Sequence, residues 1–237
     1  KIGILKWEFA GQKPGKINNL LPAGLENEKI INFIPLPNKK NISIGLISTD
    51  GRFKRISIDE FMDMSNRATT ILKLKDNVKL KAAFICEENG YIFIISNIGR
   101  ILKFKITKEN MPYMGKLAQG PNMMKLFPDE FIINALSINE NENQDIVLIT
   151  KNGSFIKHNS KSLRTSQKGE IGTIGIKLKD SINKNNRIVD AFINENYVSL
   201  LTNKKRYESL KSEEINSENY NKEKKILINL EQDEFIE

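Results

Sequence analysis

The residue types that most often carry catalytic or metal chemistry are few in this sequence and lie far apart. His158 is the only histidine and Cys86 the only cysteine among 237 residues. A lone histidine does not assemble a metal site without Asp or Glu partners at ligand spacing, and a lone cysteine makes no disulfide framework. Cys86 also lies in the apolar run AAFIC, which is typical of a core residue. We therefore predict no catalytic residue, no metal site and no cofactor in this chain.

The segment GEIGTIG (169–175) is a candidate phosphate loop, because its glycines recur at every third residue. Its spacing matches neither the dinucleotide-binding pattern nor the P-loop, and no helix signal follows it. Gly172 instead recurs as Gly120 and Gly15, each six residues before a leucine that also recurs. This favours a structural role, in a bulge or at a close crossing of strands.

Basic residues behave differently, because they recur at fixed positions of a repeated pattern. Some lie four residues after the glycine of a repeated turn, some lie one residue after it, and others lie in the polar stretch before the recurring leucine. In that order they are Arg55, Lys103 and Lys157; Arg52 and Arg100; and Lys13, Lys16, Arg67, Lys116, Arg164 and Lys168. Cations at one repeat position predict a stripe along a single face, which suits a polymer with a charge every few ångströms. The alternative is a solvated outer face with no partner.

The pattern behind these positions is an internal repeat. LISTDGRFKRI (46–56) is followed by IISNIGRILKF (94–104), LITKNGSFIKH (148–158) and the degenerate LLTNKKRYESL (200–210). The recurring leucine gives a regular period of 53 residues at the first step and 52 at the others: Leu21, Leu74, Leu126, Leu178 and Leu230. A period of this length in β-rich units is typical of a propeller or a related array.

Each repeat reads as an apolar strand, a tight turn, an alternating basic strand, a polar connection, a glycine-containing strand and a last apolar strand. In the second repeat the four strands are predicted at 42–48, 52–58, 69–74 and 80–86, with a type I′ turn at the Asp-Gly pair. No Pro/Gly/Ser linker divides the chain. We predict a single all-β domain over 1–237, an array of four-stranded blades. Its approximate repeats are 1–40 (truncated), 41–89, 90–144, 145–196 and 197–237 (degenerate).

The charge of the chain is basic and unevenly distributed. The chain has 37 Lys and Arg residues against 29 Asp and Glu residues. The last 35 residues hold 7 basic and 9 acidic residues, so the preceding residues hold 30 basic and 20 acidic ones. A basic array predicts a polyanionic partner, chiefly nucleic acid. Drifting base composition would also enrich Lys, Asn and Ile, which is the alternative explanation. Aromatic residues do not interleave with the basic positions, which favours backbone contact with a duplex over base stacking.

Several features bear on where the protein works. No apolar run approaches the about 20 residues of a membrane span, and no signal peptide opens the sequence. A single cysteine fits a reducing compartment. We expect a cytoplasmic, nucleoid-associated protein without membrane contact. Because Lys1 opens the chain and the first repeat lacks its leading strand, we also expect a fragment of a longer protein.

The repeated hairpins STDGRFKR, SNIGRILK and TKNGSFIK, with the strands LAQGPNMMKL and KGEIGTIGIKL, resemble the C-terminal domain of the A subunit of bacterial type IIA topoisomerases. That family comprises DNA gyrase and topoisomerase IV. The resemblance implies a β-pinwheel, a propeller-like ring, usually of six blades, whose blades exchange strands and whose basic rim bends and wraps duplex DNA. It also implies a non-catalytic fragment of an ATP-dependent enzyme. The implied partners are double-stranded DNA, the N-terminal catalytic part of the same polypeptide and an ATPase B subunit.

Two questions stay open on the sequence alone. Gyrase carries the box QRRGGKG in this domain, and GQKPGKI (11–17) shares only parts of it, so a gyrase and a topoisomerase IV parent are both compatible with the sequence. The competing functional hypothesis is a propeller-like scaffold that binds protein partners and does not bind DNA.

Overall fold

The structure is a computed structural model, and it describes residues 24–25, 30–37, 41–62, 68–178, 186–211, 215, 225–226 and 228–237. Three of the predicted DNA-binding residues, Lys13, Lys16 and Arg67, lie outside the described residues, as does the box-like segment 11–17. Among the described residues, no helix has both the length and the apolar character that spanning a membrane requires.

The described chain alternates β-hairpins with single strands. The strands are β1 (Ile42–Ser48), β2 (Phe53–Ser57), β3 (Leu80–Glu87), β4 (Tyr91–Ser96), β5 (Arg100–Lys105), β6 (Ile132–Ile138), β7 (Asp145–Thr150), β8 (Ser154–Asn159), β9 (Thr173–Ile174), β10 (Ile188–Ile193), β11 (Tyr197–Leu201), β12 (Tyr207–Lys211) and β13 (Lys225–Ile226). One short helix, α1 (Asp59–Met62), follows β2. The hairpins are β1–β2, β4–β5, β7–β8 and β11–β12, one in each of the predicted repeats from 41 onward.

The hairpin tips have one conformation throughout. In the first, the Gly51 N–H donates to the Ser48 carbonyl at 3.0 Å, and only Gly51 has a positive φ, +82°. This is the geometry of a type I turn followed by a left-handed residue. The predicted type I′ turn is therefore wrong, since it requires positive φ at Asp50 as well. Lys205 takes the left-handed position in the last hairpin, with φ 63°.

Each full sheet is ordered from the inside of the array to its edge. The sheet orders are β3-β1-β2, β6-β4-β5-β9 and β10-β7-β8-β13, with β11-β12 as a separate pair. The third strands pack on one another, because β6 contacts both β3 and β10. β3, β6 and β10 therefore line the inside of the array, and β2, β5 and β8 lie further out in their sheets.

The outermost strand of a blade comes from the following repeat. β9 lies after the third hairpin but pairs with β5 of the second, through Arg100 and Ile174. β13 pairs with β8 in the same manner. In the first sheet, Asn122 forms an isolated bridge with Arg52. This exchange confirms the β-pinwheel. The strand predicted at 69–74 is wrong, since the structure has no strand there; the segment holds the repeat position of the exchanged segments 121–126 and 173–178.

The hydrophobic core lies between neighbouring blades. One cluster joins Phe53 and Cys86 of the first blade to Phe104 of the second, and another joins Phe93 of the second to Leu148 of the third. Cys86 is fully buried, and desolvation raises the pKa of its thiol to about 12. A thiol that stays protonated is a poor nucleophile, so Cys86 is a packing residue, as its apolar context predicted.

Candidate nucleic-acid interface

The three cations predicted to form an exposed stripe, Arg55, Lys103 and Lys157, lie in the interior on β2, β5 and β8. Their relative exposures are 0%, 7% and 3%. Arg55 Nη1 donates to Glu88 at 3.0 Å, and Lys157 Nζ lies 3.4 Å from Asp145. The expected exposure of these three residues is wrong. The connection of the following repeat covers Arg55, at Met111, and Lys103, at Ser160 and Leu163. Their contribution to DNA binding remains a prediction.

Arg52 and Arg100 follow the turn glycines but differ in environment. Arg52 is partly exposed; its guanidinium lies 3.4 Å from Asp50 and donates to the Gly120 carbonyl at 3.0 Å. Arg100 is buried, forms a two-point ion pair with Glu130, and donates to the Lys125 carbonyl at 2.8 Å. Both side chains hold exchanged segments against the hairpins. Arg100 therefore has a structural role, and we call its ion pair with Glu130, together with its hydrogen bond to the Lys125 carbonyl, a latch.

The last described repeat contains the same latch. Arg206 donates to both carboxylate oxygens of Glu234 at 2.9 Å and to the Asn229 carbonyl at 2.7 Å. The Thr202 hydroxyl also donates to Glu234 at 2.7 Å. Asn229 and Glu234 hold the same repeat positions as Lys125 and Glu130 beside Arg100. The latch therefore fixes the end of the described chain to the fourth hairpin.

The latch predicts an acid-sensitive fourth hairpin. The Arg206 hydrogen bond, with the Glu231 N–H and the Thr202 hydroxyl, lowers the pKa of Glu234 to about 2 from 4.5. Because the folded-state pKa is lowered, this stabilisation is present above pH 4.5 and is lost as the pH falls toward 2. We expect Glu234→Gln to be less stable than wild type at pH 7, with the difference shrinking from pH 4.5 to 2. Urea unfolding across that range measures it.

Glu237→Gln is the matched control for that prediction, because Glu237 pairs with Lys205 on the surface of the same region. An exposed ion pair contributes little to stability. A constant difference between wild type and Glu234→Gln from pH 7 to pH 2 would contradict the latch.

The remaining described residues of the predicted set, Lys116, Arg164 and Lys168, are exposed. Lys116 lies in the connection after β5 (106–120), which we call the second connection; Arg164 and Lys168 lie in the connection after β8 (160–172), the third connection. Lys168 Nζ donates to the Asn110 carbonyl at 2.8 Å. The two connections therefore adjoin one another at Asn110 and Lys168.

Sequence reasoning missed a second set of exposed cations, which directly precede the recurring leucine. They are Lys73, Lys125 and Lys177, and all three side chains are exposed. Their signal was in the sequence, since Lys-Leu recurs three times at a spacing of 52 residues. Lys125 and Lys177 follow the segments that pair with β2 and β5, so they lie at the outer edge of those sheets.

We call these six exposed cations the outer basic rim: Lys73, Lys116, Lys125, Arg164, Lys168 and Lys177. Acidic side chains interrupt the rim at two points, where Glu60 lies 3.6 Å from Lys116 and Glu170 pairs with Arg164. In the fourth hairpin the cations are neutralised instead, since Lys204 pairs with Glu231 and Lys205 with Glu237. The fold and this site define a strand-exchanging β-propeller with a basic outer edge.

Comparison with known proteins finds similarity to one family. A family model described as the DNA gyrase C-terminal domain, beta-propeller, matches residues 46–87, 90–108 and 144–194. The A subunit of DNA gyrase from Borrelia hermsii is 25% identical over 183 residues, 76% of this chain and 21% of that protein. The A subunit of DNA topoisomerase 4 from Synechocystis is 24% identical over 150 residues, 60% of this chain and 16% of that protein. The chain thus spans a small part of the curated relatives it matches.

Solved structures support the same fold. The crystal structure of the C-terminal domain of DNA topoisomerase IV superposes with a TM-score of 0.71 at 20% identity, covering 84% of this chain and 61% of that one. The structure of the DNA gyrase A C-terminal domain gives 0.71 at 17% identity, covering 84% and 65%. These solved structures show the fold, and the family model and the relatives are of the family that the sequence resembles.

Proposed function

We propose that this chain binds duplex DNA without sequence preference and bends and wraps it along the outer basic rim. The observation that supports this most directly is the recurrence of Lys73, Lys125 and Lys177 as exposed residues at one repeat position. Lysines repeated in this way follow the curve of the array. A duplex that contacts all of them must bend with it.

The energetics of such contacts are favourable at moderate salt. Each phosphate neutralised by an exposed lysine releases condensed counterions, and this release drives association without reading the bases. Bending a site of 20–30 base pairs by 40–90° costs on the order of 1–6 kcal/mol. Contacts added along the rim offset that cost, so affinity and bending are coupled.

In this proposal the chain is the accessory C-terminal domain of the A subunit of a type II topoisomerase, and it is not itself catalytic. Strand cleavage belongs to the catalytic part of the same polypeptide, and ATP hydrolysis belongs to a B subunit. Both are partners inferred from homology. The proposed location is the nucleoid in the cytoplasm, where the duplex substrate lies.

A binding series with random-sequence duplex tests the proposal. We expect a mobility shift at about 50 mM salt, with log affinity falling linearly in log salt and similar affinities for unrelated sequences. Fluorescence energy transfer between the duplex ends should rise on binding, since bending brings the ends together. No shift at low salt, with the chain retained by a topoisomerase subunit instead, would favour the protein-binding scaffold.

A further inference from the structure

Lys103 points from the second blade into the third connection, which carries two residues of the outer basic rim. Its Nζ donates to the carbonyl oxygens of Ser160 at 2.9 Å and Leu163 at 3.2 Å. The backbone follows the same path, because the Ser166 N–H donates to the Lys103 carbonyl at 2.7 Å and Thr165 forms a parallel bridge with Lys103. One buried residue therefore contacts the connection at four points along 160–166.

The setting of the ammonium makes these contacts strong. Lys103 Nζ lies 4.6 Å from the centre of the Tyr91 ring, and burial lowers the pKa of Lys103 from its usual range. A buried cation is costly unless acceptors replace its water, and its hydrogen bonds are stronger than those of a neutral donor. The carbonyl oxygens of Ser160 and Leu163 take the place of that water. The ammonium therefore holds the backbone of the third connection at these two residues.

The preceding blade repeats this arrangement with a different cation. Arg55 lies at the same offset from its turn glycine, and its Nε donates to the Met111 carbonyl in the second connection. The Met114 N–H donates back to the Arg55 carbonyl at 2.9 Å. The second connection carries Lys116 of the rim. In both cases a buried cation of one blade holds the connection of the next.

We propose that Lys103 is a positioning residue, which holds the third connection so that Arg164 and Lys168 face a duplex bound along the rim, and that it makes no phosphate contact itself. This inference rests on the proposed function for its DNA-binding half. This role explains why a cation recurs at this repeat position although its side chain is buried: the cation holds the connection that carries residues of the outer basic rim.

Hydrogen exchange in the absence of DNA tests the structural half. Lys103→Met keeps the aliphatic stem and removes the ammonium, so protection of the amides in 160–166 should fall about tenfold or more. Lys103→Arg should restore protection, because Arg55 performs this role in the preceding blade. Lys105→Met is the matched control on the same strand; its ammonium pairs with Glu140, so the third connection should keep its protection. Unchanged protection in Lys103→Met would overturn the proposal.

Duplex binding in a salt series tests the functional half. The double variant Arg164→Ala with Lys168→Ala should lower the salt slope by up to about 1.8, at about 0.9 for each phosphate contact. Adding Lys103→Met to that double variant should lower the slope no further. A further loss of about 0.9 would show that Lys103 contacts a phosphate and would overturn the positioning role. If the wild-type chain binds no duplex, the proposed function is wrong. The hydrogen-exchange experiment would still decide whether Lys103 holds the third connection.

Discussion

Replacing Lys73, Lys125 and Lys177 together with Ala is expected to weaken duplex binding several hundred-fold at about 0.1 M monovalent salt. Each contact contributes about 0.9 to the slope of log affinity against log salt, so losing three lowers the slope by about 2.7. The loss should be similar on unrelated sequences, because phosphate contacts position a protein without reading bases. All three side chains are exposed, so the free energy of unfolding should change little. Binding isotherms at four salt concentrations measure the slope.

The matched control removes the same formal charge from the fourth hairpin. Lys204, Lys205 and Lys211 are exposed, but Glu231 and Glu237 pair with the first two. We expect the control triple to lower the slope much less than the rim triple. Equal slopes would show that the charge of the chain acts diffusely, and the ordered rim would then be rejected.

The buried triple Arg55, Lys103 and Lys157 requires a different interpretation. Changing these residues to Ala removes the cations that pair with Glu88 and Asp145, together with the buried stems, so unfolding and binding would change together. The free energy of unfolding must therefore be measured before any loss of affinity in this variant is assigned to DNA contact.

Gly120→Ala is expected to destabilise the chain by about 3 kcal/mol or more. Gly120 has a φ of +80°, and a Cβ there would lie 2.1 Å from the Phe53 carbonyl oxygen. The left-handed conformation costs a non-glycine residue about 1–2 kcal/mol. The collision would also push the exchanged segment off β2, with loss of the hydrogen bonds from Phe53 N–H to Pro121 at 3.1 Å and from Met123 N–H to Gly51 at 2.8 Å. Each is worth about 1 kcal/mol.

Urea unfolding of Gly120→Ala beside Gly115→Ala measures this effect against a close neighbour. A Cβ on Gly115 meets nothing within 4 Å, and its φ lies outside the left-handed region. That variant should be within about 0.5 kcal/mol of wild type or somewhat more stable, because alanine restricts the unfolded chain. Similar losses in both variants would show that strand exchange at Gly120 contributes little to stability.

Much of the fold could be predicted from the sequence because its determinants are local. Turn glycines and alternating strands act within one repeat, and they predicted the hairpins. The 52-residue recurrence of a leucine predicted a propeller-like array, and the family resemblance implied the β-pinwheel. The bounds of β1 and the start of β3 follow the prediction. The glycine six residues before that leucine was assigned to a bulge or a close crossing of strands, and the structure shows the close crossing, since Gly120 passes directly beside Phe53.

The exposure of the basic residues was decided only by the tertiary structure. Alternation along a strand predicts that one face is buried and the other solvated. In this array both faces of β2 are covered, so the adjacent residues Lys54 and Arg55, which point to opposite sides, are both fully buried. Lys54 Nζ donates to the carbonyls of Ile71 at 2.6 Å and Gly115 at 2.9 Å. Those acceptors are 17 and 61 residues away in sequence, and no local pattern identifies them.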